Sequence, residues 1–105
     1  MQGGYRLSPL AQQDIKDIRA YYLDEAGASV ARHVLRALGN GFRLVGDAPG
    51  IGHSRLDLTD EPVRVWPVFS FLIVYDPAAR PVGIARVLHG RRNLATLFAR
   101  RPPRV

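Results

Sequence analysis

The sequence predicts an α+β fold in which a helical hairpin packs on a small, mainly antiparallel sheet. Two segments near the N-terminus, from residue 9 to about 26 and from residue 28 or 29 to about 47, carry apolar residues at helical spacing. Three strand-like segments, residues 63–68, 69–75 and 82–89, then follow with no helix between them. Helices grouped apart from strands are typical of α+β folds rather than of alternating α/β folds.

Residues 5–7 form a predicted first strand, and Ser8-Pro9 then starts the first helix. A serine at the N-cap accepts a hydrogen bond from an unpaired backbone N–H, and a proline in the first turn has no N–H to leave unpaired. Gly27 is suited to end this helix, because glycine tolerates the left-handed conformation of a C-terminal cap. The helix is expected to bury one apolar stripe, made of Ala11, Ile15, Ile18 and Tyr22.

The second helix carries a longer apolar stripe and two interior glycines. Because only a few residues separate the two helices, they are expected to pack antiparallel as a hairpin. Gly39 and Gly41 each cost about 1 kcal/mol relative to alanine in a helix, which indicates either a close approach to another backbone or a bend. The stripe consists of Ala31, Val34, Leu35, Leu38, Phe42 and Val45.

Residues 48–62 are interpreted as a break followed by a loop that contains at most one short strand. Strand 69–75 is apolar on both faces apart from Ser70, which favours a central position in the sheet. A loop at residues 76–81 leads to the last strand, and a short helix is predicted at residues 91–100. Tyr21, Tyr22 and Tyr75 are interpreted as core or core-edge aromatic residues.

Charge is distributed unevenly along the chain. Fifteen basic and nine acidic residues give a net charge of +6. Residues 1–79 hold eight basic and nine acidic residues, a net charge of −1, whereas residues 80–105 hold seven arginines and no acid, a net charge of +7. A field concentrated at one end of the chain favours an anionic partner, either a nucleic acid or an acidic protein surface.

Composition limits the class of protein further. The length of 105 residues fits one domain, residues 1–105, and no apolar run approaches the roughly 18 residues that a membrane span needs. The N-terminus lacks the pattern of a secretory signal, so we expect a cytoplasmic protein without a membrane partner. With no cysteine and three scattered histidines, we expect no metal and no cofactor.

Four segments, which together span almost the whole chain, resemble a known family. They are Y-R-L-S-P-L-A-Q-Q-D-I-K-D-I-R-A-Y-Y at residues 5–22, P-G-I-G at 49–52, F-L-I-V-Y at 71–75 and I-A-R-V-L-H-G-R-R-N-L at 84–94. In order and spacing the chain resembles the RelE/ParE superfamily of bacterial type II toxin–antitoxin systems. Within it, the chain is nearer to the ParE, or plasmid stabilisation, branch.

This resemblance implies a toxin that is neutralised by a cognate, acidic, ParD-like antitoxin in a hetero-oligomer. Members of the ParE branch are similar in poisoning DNA gyrase and blocking replication, whereas RelE-like members cut messenger RNA on the ribosome. We therefore expect a gyrase inhibitor that is not an enzyme. The alternatives are a RelE-like endoribonuclease and a non-toxic member that only binds a partner.

The residue types that RNA cleavage requires help to distinguish the ParE branch from the RelE-like branch. Cleavage of RNA through the 2′-hydroxyl needs a base, an acid and a cation within hydrogen-bond reach. RelE-like relatives supply these groups with lysine and arginine clusters plus a C-terminal tyrosine, or with a glutamate and a histidine. This chain has no lysine after Lys16 and no tyrosine after Tyr75, which disfavours a RelE-type site. The runner-up nuclease set is His89, Arg86, Arg64 and Arg55.

Within that set, Arg86 and His89 should point to opposite faces of their strand unless a bulge intervenes. His89 is interpreted first as a strand-end residue that closes the turn at Gly90, with partner contact and catalysis as the alternatives. Target binding is predicted for Arg86, His89, Arg91, Arg92, Arg100 and Arg101, with Arg91 and Arg92 alternatively forming a solvated helix start. Antitoxin binding is predicted for Arg32, Arg36 and Arg43 on the outer side of the second helix.

Overall fold

The computed structural model describes residues 4–54 and 61–90. Its elements are strand β1 (Tyr5–Leu7), helices α1 (Pro9–Ala26) and α2 (Ala28–Asp47), a 3₁₀ turn (Pro49–Ile51), and strands β2 (His53–Ser54), β3 (Arg64–Val68), β4 (Phe71–Asp76) and β5 (Val82–His89). This order confirms the predicted strand, two helices and three later strands, β3 to β5, and adds the two-residue β2 before them. The short helix predicted at residues 91–100 lies outside the described residues.

The five strands form one mixed sheet in the order β1-β5-β4-β3-β2. β1 runs parallel to β5, and the other neighbouring pairs are antiparallel, so the prediction of a mainly antiparallel sheet is confirmed. β4 has a paired strand on each side, as its apolar sequence predicted. The two-residue strand β2 is the short strand that the interpretation of residues 48–62 allowed.

The ends of α1 are set by the residues that the sequence indicated. The Ser8 hydroxyl accepts a hydrogen bond from the Ala11 N–H at 3.0 Å, and Pro9 occupies the first helical turn. Gly27 ends the helix with φ at +91°, and its N–H donates to the Tyr22 carbonyl. One glycine therefore separates α1 from α2, and the two helices return on each other as a hairpin.

The core lies between this hairpin and one face of the sheet. Its main cluster of buried side chains consists of Ala11, Val34, Leu38, Phe42, Val45, Phe71, Ile73, Tyr75, Val82, Ile84 and Val87. A smaller cluster of Val65, Val74 and Leu88 comes from alternate strand positions, which face the other side of the sheet.

The two interior glycines of α2 have different surroundings. A Cβ atom at Gly41 would lie 2.8 Å from Ile73 Cδ1 and 2.9 Å from Val68 Cγ2, so α2 can pack this closely on β3 and β4 only with glycine at that position. At Gly39 the nearest such atom belongs to Arg43, 3.7 Å away. A close approach of helix to sheet therefore accounts for Gly41 and not for Gly39.

Tyr75 of β4 binds the segment that follows α2, through Pro49 and Gly52. Its side chain is completely buried, and its hydroxyl donates to the Pro49 carbonyl at 2.6 Å and accepts from the Gly52 N–H at 2.9 Å. Burial raises the pKa of this phenol, with the Gly52 hydrogen bond and the nearby Arg64 charge acting in the opposite direction. The prediction that Tyr75 is a core residue is confirmed.

The boundary between β3 and β4 differs from the prediction. Phe69 and Ser70, predicted to begin the central strand, form a two-residue turn, and β4 starts at Phe71. Phe69 is 62% exposed and has φ at +54°, a conformation that is rare for a residue other than glycine. The turn therefore carries neither the glycine nor the asparagine by which such turns are recognised in a sequence.

Candidate functional site

Arg86 and Asp14 join the last strand to the first helix. The Arg86 Nε and Nη2 atoms donate to the two carboxylate oxygens of Asp14 at 2.8 and 2.9 Å, and the Val87 backbone N–H donates to Oδ2 at 2.9 Å. The Arg86 and Asp14 side chains are 25% and 13% exposed. The hydrogen bond to Asp14 raises the pKa of Arg86, with burial opposing that rise. One carboxylate thus holds both the arginine and the strand backbone.

This contact occupies a backbone edge of β5 that none of the described strands covers. β1 pairs only with Val82–Ile84, so β5 continues beyond its parallel neighbour. On that open side the Ser8 hydroxyl donates to the Ala85 carbonyl at 2.7 Å, two residues before Asp14 receives the Val87 N–H. Side chains of α1 and of its cap therefore satisfy backbone groups that a longer β1 would otherwise pair.

A register irregularity between β4 and β5 lies close to this edge. Val74 faces Arg86 and Tyr75 faces Ile84, which leaves Ala85 as an extra residue in β5. The bulge lies before both Arg86 and His89, and not between them. Even so, both residues approach α1, because the Arg86 side chain extends to Asp14 and His89 lies beside the second half of that helix.

His89 closes the end of the sheet. It lies opposite Phe71, its ring centroid is 5.2 Å from that of Phe71, and its Nε2 atom is 3.0 Å from the Ser70 hydroxyl. The Gly90 N–H donates to the Ser70 carbonyl at 2.7 Å, and Gly90 has φ at +81°. These contacts fit the interpretation of His89 as a strand-end residue, while its exposed side chain leaves it accessible to a partner.

Arg64 lies at the other end of the strands. It faces Tyr75 on β4, whereas His89 faces Phe71, four residues away on the same strand. At about 3.3 Å per residue this separates the two backbone positions by roughly 13 Å along the strand. The Arg64 guanidinium donates to the Gly52 carbonyl at 2.8 Å. His89, Arg86 and Arg64 are therefore not brought together, and Arg55 lies outside the described residues.

The three arginines of α2 form a stripe on its exposed surface. Arg32, Arg36 and Arg43 are all exposed, and at 100° per residue their directions fall within about 40° of one another. They span roughly 16 Å along the helix axis at 1.5 Å per residue. The Arg43 guanidinium donates to the Asn40 side-chain carbonyl. The predicted antitoxin-binding residues thus share one face.

Four predicted target-binding residues, Arg91, Arg92, Arg100 and Arg101, lie outside the described residues. Within residues 4–54 and 61–90, no three His, Cys, Asp or Glu side chains are grouped so that they could hold a metal ion. No helix in the same ranges has the length and hydropathy of a membrane span.

A groove between α1 and the end of the sheet was not anticipated from the sequence. Its volume is about 360 Å³, and its described lining consists of Asp17, Ile18, Tyr21, Tyr22, Phe71 and His89. Tyr21 is 59% exposed, so the interpretation of this residue as a core-edge aromatic is wrong. The signal was available: Tyr21 is rotated about 100° from Tyr22, which itself belongs to the apolar stripe.

Comparison with solved structures defines the class at the level of the fold. Ten chains match, and one of them, described as "Chromosomal ParDE TA system from P. aeruginosa", has a TM-score of 0.70 at 15% sequence identity. The match covers 84% of this chain and 96% of that chain. At this identity the likeness concerns the fold, a helical hairpin on a small mixed sheet.

The family follows from the sequence itself. The family described as "ParE toxin of type II toxin-antitoxin system, parDE" matches residues 5–94, and the chain therefore belongs to the ParE toxin family. A search of curated proteins found no significant match. The resemblance seen in the four sequence segments is confirmed.

Proposed function

We propose that this ParE-family toxin acts in the cytoplasm by inhibiting DNA gyrase, and that it arrests replication and growth without cutting RNA. The observation that carries the proposal is the dispersal of the groups that a nuclease would need. His89 lies at one end of the sheet, Arg64 lies about 13 Å further along the strands, and Arg86 is held by Asp14.

Cleavage of RNA requires these groups to converge. A base must take the 2′-hydroxyl proton while a cation stabilises the phosphorane, and both must lie within hydrogen-bond reach of one phosphate. Arg86 has two of its N–H groups bonded to Asp14, and Arg64 is bonded to the Gly52 carbonyl. Arg86 is thus held at Asp14, and Arg64 lies about 13 Å along the strands from His89, so the described groups do not converge on one phosphate, which supports a binding rather than a hydrolytic role.

We place the target-binding surface at the end of β5 and in the arginines that follow it. His89 is exposed at that end, and the proposed contacts continue through Arg91, Arg92, Arg100 and Arg101. Residues 80–105 carry a net charge of +7, which suits an acidic surface of gyrase or the DNA bound to it. Arg86 contributes to this surface indirectly, by holding β5 to α1.

A direct test compares the two targets of the superfamily. The purified toxin is added to gyrase with relaxed plasmid, and in parallel to a translating extract with a labelled message. We expect loss of supercoiling, accumulation of cleaved plasmid on addition of denaturant, and an intact message. A cut message with active gyrase would establish the endoribonuclease alternative, and no effect in either assay would favour the non-toxic binding alternative.

We further propose that the exposed stripe of Arg32, Arg36 and Arg43 binds an acidic, ParD-like antitoxin. Three like charges on one helical face complement an acidic segment, and their interaction with it weakens with salt. Replacement of all three by glutamate should weaken binding of the antitoxin by about tenfold or more at low salt, with a smaller difference at about 0.5 M salt.

The control for this experiment keeps the net charge the same. Arg6, Lys16 and Arg19 are exposed cations on β1 and α1, and their replacement by glutamate changes the charge by the same amount. Equal weakening by both triple variants would show a general effect of charge and would contradict the assignment of the α2 stripe. Unchanged affinity in the first variant would contradict it directly.

A further inference from the structure

We propose that Phe69 and His33 form an aromatic platform on which an unpaired base of DNA stacks. Phe69 is 62% exposed, and its ring centroid lies 5.6 Å from that of the exposed His33 ring, with 35° between the two ring planes. Exposed aromatic rings stack on nucleobases with little regard to sequence, because every base has a flat face. This role rests on the proposed function, because the DNA is that of the gyrase complex.

The backbone at Phe69 is strained. Its φ of +54° lies in the left-handed region, which residues other than glycine rarely adopt. The ring does not explain this conformation by filling the core, because most of the residue faces solvent. Strained conformations of this kind are concentrated at binding and catalytic sites, where the surrounding structure holds them in place. The turn therefore presents an exposed ring at a cost to stability, which indicates a role in binding.

The turn is attached to the end of β5, where the target-binding surface is proposed. The Ser70 carbonyl accepts from the Gly90 N–H at 2.7 Å, and the Ser70 hydroxyl lies 3.0 Å from His89 Nε2. The chain continues directly from Gly90 into Arg91 and Arg92. The platform therefore extends the proposed target-binding surface from β5 across the turn to α2.

The charges around the platform favour an anionic occupant. Arg36 lies three residues after His33, so their side chains are neighbours on the surface of α2. The only acid of α2 is Asp47, its last residue, and residues 62–75, which include the turn, hold no acid. A base stacked on Phe69 would carry its phosphate past His33 towards Arg36.

A cavity beside the turn gives the DNA strand room to continue. Its volume is about 630 Å³, and its described lining, which includes Phe69, Ser70 and Gly90, contains no acid. Asp17 lies elsewhere, in the groove between α1 and the end of the sheet. A DNA backbone can therefore cross from the platform to the end of β5 without meeting a carboxylate of this described lining.

The exposed ring favours an unpaired base over a duplex and over a protein. Within a duplex both faces of a base are stacked on its neighbours, so only a base that has left the stack can offer a face to Phe69. DNA strands broken by gyrase end in bases that lack one such neighbour. A protein anchor is enclosed in a dry apolar pocket, whereas the ring next to Phe69 is an exposed histidine with an arginine one turn away.

The experiment measures, by fluorescence anisotropy at about 50 mM salt, the binding of a labelled single-stranded oligomer of about 12 thymidines to the full-length chain. The matched probe is an abasic DNA oligomer of the same length, which keeps every phosphate and has no base. We expect the thymidine oligomer to bind about tenfold more tightly than the abasic oligomer, because only the former can stack. Gyrase and the antitoxin are both absent, so this result is separate from a test of the proposed function.

Variants assign the two kinds of contact. Phe69→Ala should weaken binding of the thymidine oligomer about tenfold and leave binding of the abasic oligomer unchanged, whereas Phe69→Trp, which keeps an aromatic face, should retain the difference. Arg36→Gln should weaken binding of both oligomers by a similar factor of about three, since it removes a phosphate contact. Tyr21→Ala, which removes a similarly exposed aromatic residue from α1, is the control and should bind both oligomers as the wild type does.

A glycine variant separates base stacking from folding. Phe69→Gly relieves the positive φ, so this variant is expected to remain folded while it loses the base-dependent part of the affinity. Loss of binding in a variant with relaxed backbone would therefore report the missing ring and not an unfolded chain.

Three results would overturn the platform assignment. Equal affinity of the wild type for the thymidine and abasic oligomers would do so, even if the toxin inhibits gyrase. Unchanged thymidine binding in Phe69→Ala, together with loss of gyrase inhibition, would assign Phe69 to a protein contact. A severalfold preference for a uridine oligomer over its deoxyuridine counterpart would make RNA the ligand. Base-dependent DNA binding by a toxin that leaves gyrase active would instead support the platform and contradict the proposed gyrase target.

Discussion

Asp14→Ala is expected to destabilise the fold by about 2–3 kcal/mol, because this carboxylate has both a side-chain and a backbone partner. Loss of the acceptor for the Val87 N–H costs about 1–2 kcal/mol at a partly buried position. Loss of the Arg86 ion pair adds about 1 kcal/mol, since both side chains retain some contact with water. In a domain of this size the sum lowers Tm by roughly 10 °C or more.

The measurement is chemical denaturation at neutral pH, followed by the fluorescence of Trp66. Asp24→Ala, which removes an exposed acid from the same helix, is the control and should lie within about 0.5 kcal/mol of the wild type. Arg86→Met separates the two contributions, because Asp14 can still accept from the backbone; we expect it to cost about 1 kcal/mol. The double variant should then resemble Asp14→Ala alone.

A wild-type free energy of unfolding for Asp14→Ala would refute this reasoning, because it would mean that water satisfies the Val87 N–H as well as the carboxylate does. Equal losses for Asp14→Ala and Arg86→Met would instead assign the whole effect to the ion pair. Either outcome would contradict a stabilising role for the Asp14–Val87 hydrogen bond on the open side of β5.

Three further predictions concern tight packing around two glycines and one tyrosine. Gly52→Ala should lower the free energy of unfolding by more than about 2 kcal/mol, since its Cβ would lie 2.4 Å from the Tyr75 hydroxyl oxygen. Gly50→Ala, whose Cβ would have nothing within 4 Å, should be close to neutral in the same denaturation assay. Equal effects of the two variants would contradict this packing. Gly39→Ala should stabilise the fold by about 0.5–1 kcal/mol through helix propensity. Gly41→Ala should destabilise it by about 1 kcal/mol, because the clash of its Cβ with β3 and β4 outweighs that gain. Stabilisation by both variants would show that β3 and β4 can move to accommodate the added Cβ. Because burial raises the pKa of Tyr75, the unfolded chain ionises first, so stability should be full below pH 10 and should fall as pH rises above it. Tyr75→Phe should lower stability at neutral pH by about 1–3 kcal/mol and show a shallower loss between pH 9 and 11; an unchanged alkaline slope would contradict the assignment.

Local signals in the sequence predicted much of the fold. Ser8, Pro9 and Gly27 mark the ends of α1 because capping depends on the chemistry of single residues. The buried stripes of both helices follow from a period of 3.6 residues, and the central place of β4 follows from its lack of a polar face. Such features need no knowledge of which segments are neighbours in space.

The candidate site depended on contacts that the sequence does not display. Asp14 and Arg86 are 72 positions apart, so nothing in the pattern around either residue indicates that they pair. Arg86 was therefore predicted to bind a target, although it first stabilises the sheet. The turn at Phe69 escaped prediction for a local reason, since a phenylalanine with positive φ has no sequence signature. The groove at Tyr21 needed both the helix and the strand end to be in place.

The short outer strands and the side chains that cover β5 have a consequence for self-association. On one flank of the described sheet, Ser8 and Asp14 occupy the backbone groups of β5 that a foreign strand would need. On the other flank, β2 has only two residues, and Pro67 of β3 has no backbone N–H to donate to an added strand. In the described sheet these features disfavour the addition of a foreign strand along β5 and β3.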